Sequence, residues 1–66
     1  MNMPWQKLKE DGWRIVGMNH YNLEGECHLF VAMTKKGQPA IVAEGTDEVE
    51  VFKNLEEQAF PKESKD

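Results

Sequence analysis

The 66-residue chain has one cysteine, Cys27, and so closes no internal disulfide. That excludes a stapled secreted scaffold and points to a reducing, cytoplasmic setting. Long apolar runs are also missing. The longest, Leu29 to Met33, is far below the ~20 residues that cross a bilayer, and no signal peptide or lipidation motif is visible, so a soluble protein is expected. No repeat, nucleophile elbow, phosphate-cradling glycine loop or close pair of core carboxylates appears, so no enzyme activity and no cofactor is assigned. Positive charge is scarce where it would matter for nucleic acid. Residues 44 to 66 hold three Lys or Arg against eight Asp or Glu, within a net charge of -4, and that field repels phosphates.

What is present is one small domain over residues 3–60, followed by a tail, 61–66, that lacks apolar residues after Pro61 and reads as disordered. A chain this short buries only about 60% of the surface it exposes when unfolded, so a partner subunit would add to its stability. "MPWQKLKEDG" reads as a short helix with Pro4 at its first position, Trp5 and Leu8 on one side and Gly12 as the stop. Three runs rich in β-branched and aromatic residues follow: "WRIVGMNHYN", "CHLFVAMT" and "PAIVAE". "TDEVEVFKNLEEQAF" is a second helix, capped by Thr46 or Asp47, with Val49, Phe52, Leu55 and Ala59 as its apolar stripe. The fold class is α+β, in the order αβββα, with a three-stranded antiparallel meander and helices mainly on one face.

The separators "LEG" and "KKG" each read as a three-residue hairpin loop ending in a glycine bulge. That register sets Asn22 opposite Glu26, His20 opposite His28, Met18 opposite Phe30 and Val16 opposite Ala32. Across the second loop it sets Ala32 opposite Ala40, Phe30 opposite Val42 and His28 opposite Glu44. One face then carries Trp13, Ile15, Tyr21, Cys27, Leu29, Val31, Met33, Ile41 and Ala43, with Gly17 making room for a helix; this is the core face, and Cys27 is a packed thiol there. The other face is apolar through its centre as well, where an ordinary one-sided sheet is polar.

An apolar patch with a polar rim marks an association surface. The expected interface is Val16, Met18, Phe30, Ala32, Ala40 and Val42, rimmed by Arg14, His20, His28 and Glu44, and its partner is a second copy or another protein. The bland alternative is that the first helix or a bent third strand covers this face. The row His20, His28, Glu44 has two readings, a hydrogen-bonded rim or two imidazoles and a carboxylate around a divalent metal; a flat row without a fourth ligand leaves the metal unassigned.

The element order and length resemble the double-stranded RNA-binding domain over residues 4–60. "GECH" is similar to the Gly and His pattern of that family's first hairpin, and "GTDEVEVFKNLEEQA" occupies the place of its glycine-bearing loop and last helix. The resemblance implies an αβββα fold and an RNA-contacting role for His28. Where the family sets lysines against phosphates, this chain has Thr46, Asp47, Glu48 and Glu50, so Lys7, Lys9, Arg14, Lys35 and Lys36 are the phosphate contacts left to an RNA-binding reading.

Overall fold

A computed structural model describes residues 5–61, ordered as α1 (Gln6–Glu10), β1 (Arg14–Leu23), β2 (Glu26–Thr34), β3 (Ile41–Gly45) and α2 (Glu48–Ala59). The strands form one antiparallel sheet in the order β1-β2-β3. The expected αβββα meander is therefore the fold. Pro4 and the tail beyond Pro61 lie outside the described residues.

The turn between β1 and β2 is tighter than "LEG" suggested. Glu24 and Gly25 both have positive φ, 53° and 86°. Two left-handed residues in succession make the two-residue turn whose twist matches that of the strands it joins. Leu23 therefore pairs with Glu26, Tyr21 with His28, His20 with Leu29, Asn19 with Phe30 and Met18 with Val31. This is one residue away from the three-residue register, and a one-residue slip turns every side chain to the opposite face. Met18 and His20 move to the helix side, while Asn19 and Tyr21 take their places on the open side.

The slip does not reach the start of β1. The ladder is irregular between Ile15 and Gly17, with Ile15 opposite Met33 and Gly17 opposite Ala32, so Val16 is the extra residue of a β-bulge and is 58% exposed. The bulge absorbs the one-residue difference, and Ile15 lies with Met33 on the helix side as expected. Gly17 makes no room for a helix: it is on the open side, where an added Cβ would sit 3.7 Å from that of Ala32. Deleting Val16 would make Gly17–Ala32 and Ile15–Met33 consecutive rungs of a regular ladder. That variant is expected to fold with the same faces and a stability within about 1 kcal/mol of wild type, as for a surface change. Urea unfolding and an Ile15–Met33 nuclear Overhauser contact check this, and loss of the fold would show the bulge to be required.

The second connection is longer than "KKG". Gln38 N–H donates to the Lys35 carbonyl at 3.0 Å, closing a turn, but β3 begins only at Ile41. Pro39 has no N–H to give a ladder. Ala40 is therefore an exposed connection residue and not part of the sheet. Ala32 pairs with Val42 and Phe30 with Glu44, a shift of two residues that leaves Val42 and Glu44 on the expected face.

The core lies wholly on one side of the sheet. Leu29, Val31, Met33, Ile41 and Ala43 meet Val51, Phe52 and Leu55 of α2, and Leu8 and Trp13 close the cluster. α2 lies on β3 and β2, and α1 rests against α2. The Asp47 carboxylate caps α2 by accepting from Val49 N–H at 3.1 Å, which satisfies one of the helix's free donors. Val49 itself is 60% exposed and Val51 is buried in its stead, because the sheet lies against the Val51–Phe52–Leu55 stripe.

Candidate functional site

Both helices occupy the same side, so among the described residues the open side of the sheet has no second layer. Its centre holds Phe30 and Ala32, both half-buried, and Val42, which is 49% exposed. Of the residues expected there, Phe30, Ala32 and Val42 are in place with Arg14, His28 and Glu44 at the rim. Met18, His20 and Ala40 are not, for the reasons of register given above, and Val16 is displaced into the bulge. The apolar centre is accordingly narrower than a Met18–Phe30–Val42 row would make it.

Tyr21 is the resident that sequence reasoning placed in the core. Its hydroxyl donates to Glu44 Oε1 at 2.9 Å, and its ring stacks on that of His28 with centroids 5.4 Å apart and planes 16° apart. His28 Nε2 is 3.6 Å from Glu26 Oε1, an ion pair when the imidazole is protonated. The rim is thus built from Glu26, His28, Tyr21 and Glu44, side by side across three strands. The signal that could have found it was the Glu24–Gly25 dipeptide, read as a two-residue turn.

The Tyr21 hydroxyl is held above the usual phenol range, first by its hydrogen bond to Glu44 and then by desolvation and the Glu44 charge. The folded state therefore favours the neutral phenol. The associated stability is present below the unfolded tyrosine pKa and is lost as pH rises through the folded one. Tyr21 is the only tyrosine in the chain, so ultraviolet absorbance reads it alone. Its titration midpoint is expected above that of free tyrosine and should fall back in Glu44→Gln; an identical midpoint in the variant would contradict the hydrogen bond.

The His20–His28–Glu44 row does not form. His20 is on the helix side with Leu29, and Glu44 lies opposite Phe30. Among the described residues no group of three His, Cys, Asp or Glu side chains could hold a metal ion. Cys27 is not a packed thiol but an exposed one. The β1–β2 hairpin runs past Gly45, where the chain leaves the sheet for α2, so no described residue covers the far end of the hairpin on its helix side. An open concavity of about 420 Å³ results, lined by Met18, His20, Cys27, His28, Leu29, Thr46 and Glu48.

Charge is distributed along the hairpin. Arg14, Lys35 and Lys36 surround a concavity at one end with Gly12 and Thr34, and Lys35 Nζ bonds Asp11 Oδ2 at 2.8 Å. That bond holds the Asp11 carboxyl below the usual carboxylate range. Glu24 and Glu26 stand at the opposite end, at the turn. Among the described residues no helix is long and apolar enough to cross a membrane. Compared with protein-family models, curated proteins and solved structures, the chain matches none of them.

Proposed function

We propose that the domain is a non-catalytic protein-association module that docks a second copy or a partner protein on the open side of its sheet. The observation that supports this is the strip Phe30–Ala32–Val42, uncovered by either helix and rimmed by Arg14, Tyr21, His28 and Glu44. Stacking another layer on the strip would remove apolar surface from water. Full burial of side chains of the Phe and Val kind is worth about 1.5 to 3 kcal/mol each, a large gain for a small domain. Sedimentation equilibrium and concentration-dependent NMR shifts at Phe30, Ala32 and Val42 test the reading. Association with shifts at these residues, weakened in Phe30→Glu, is the expected result; a wild-type monomer with invariant shifts at all concentrations removes the self-association form.

The RNA-binding reading has one observation in its favour, since three of its five basic residues, Arg14, Lys35 and Lys36, meet at one concavity. The other two are occupied elsewhere: Lys7 lies over the Phe60 ring at 4.9 Å and Lys9 over the Trp5 ring at 5.1 Å. Asp47, Glu48 and Glu50 at the start of α2 oppose phosphate binding. A duplex-RNA mobility shift at low salt decides the point, and a shift abolished by Lys36→Glu would favour the RNA reading over protein association.

A further inference from the structure

The two edges of the sheet are not alike. A two-residue turn closes on a hydrogen-bonded pair, so the ladder alternates from Leu23–Glu26 through Tyr21–His28 and Asn19–Phe30. The N–H and C=O groups of Met18, His20 and Asn22 therefore point away from β2, along the outer edge of β1. The same alternation turns the Val42 carbonyl outward from β3, and there Gln58 Nε2 donates to it at 2.7 Å. The β3 edge is thus short and partly closed by α2. The β1 edge is ten residues long, and among the described residues nothing caps it.

Edge strands are protected by charges, prolines, bulges or covering segments. β1 has only the bulge at Val16 and Arg14 near its start, so the stretch from Met18 to Asn22 is regular, and no described residue protects it. Among the described residues, four of the six large apolar side chains that are exposed also belong to β1, namely Ile15, Val16, Met18 and Leu23.

We propose that β1 is a self-pairing edge, joining two copies antiparallel into one six-stranded sheet. The occupant is a second copy because the hairpin is electrostatically self-complementary. A twofold axis at His20 pairs Met18 of each copy with Asn22 of the other. The same axis carries the basic corner of Arg14, Lys35 and Lys36 toward the acidic turn of Glu24 and Glu26, and it does so at both ends of the pairing. An interface of this kind is isologous, closes at two copies and uses all three outward residues of the unbulged segment. It also doubles the width of the open face and leaves it free. The inference rests on the reading of the domain as an association module but uses the edge of the sheet, not its face.

Sedimentation of the full chain over a wide concentration range, with amide hydrogen exchange at the dimeric end, tests the pairing. A dimer in which the amides of Met18, His20 and Asn22 are protected is the expected result; rapid exchange of all three in a dimer, or a monomer throughout, overturns it. His20→Pro removes an outward N–H without breaking the ladder to β2 and is expected to weaken the dimer about tenfold or more, the scale of a lost backbone hydrogen bond. Arg14→Glu is expected to weaken it too, and Arg14→Glu combined with Glu24→Arg to restore it. A dimer lost in Phe30→Glu but unchanged in a folded His20→Pro overturns the edge and supports the face. The reverse supports the edge and removes self-association through the face.

Discussion

Phe52→Ala is expected to remove between a third and all of the stability of the domain at 25 °C. Phe52 has no exposed surface and lies at the centre of the single core, between α2 and the helix side of the sheet. Truncating a buried Phe removes its transfer free energy and leaves a cavity, at a combined cost of about 3 to 5 kcal/mol. A domain of this length has a total stability of roughly 3 to 10 kcal/mol, so one substitution consumes a third of it or all of it. No second cluster of buried residues among the described ones stands in reserve. Urea unfolding followed by far-ultraviolet circular dichroism measures the loss, and a midpoint within experimental error of wild type would mean that α2 is not docked as described.

Leu8→Ala ranks second, and its effect is more local in origin. α1 has five residues, far fewer than a helix needs to persist alone in water, and its Trp5 N-cap makes no side-chain capping bond. Its place depends on Leu8, fully buried, with Trp5 packed at the margin of the core and Trp13 N–H donating to the Leu8 carbonyl at 3.0 Å. Truncation is expected to cost about 2 to 5 kcal/mol and to release α1 from α2. The two tryptophans report this directly: their emission should shift to the red as Trp5 and Trp13 gain water, under conditions where wild type shows no shift. Unchanged emission and unchanged stability together would place Leu8 outside the core.

The two glycine-bearing turns explain why some residues were legible in the sequence and others were not. Alternation of apolar residues along β2 was enough to assign Leu29, Val31 and Met33 to one side and Phe30 and Ala32 to the other, because period two needs no knowledge of the neighbours. β1 was harder. Whether Tyr21 or His20 faces the helices depends on whether the turn has two residues or three, and Glu24 is a residue type that seldom takes the positive φ a two-residue turn demands. Trp13 and Ile15 were assigned to the right side despite that error, since the bulge at Val16 cancels it, but Ile15 is exposed there and not packed in the core. On β3 the missing N–H of Pro39 moved the start of pairing by two residues, an even shift that costs no face.

The amino-acid order alone therefore determined the αβββα succession, the alternation of faces along β2 and the start of α2 at a Thr46 or Asp47 cap, because each follows from spacing and chemistry within a few neighbouring residues. Only the tertiary structure decided that Tyr21, not His20, joins His28 and Glu44 at the open rim, that Val51 replaces Val49 in the core, and that the hairpin overhangs its helix and exposes Cys27. Those outcomes depend on register and on the relative lengths of β2 and β3. These quantities are set jointly by residues distant in the chain, through backbone pairing that no single segment encodes.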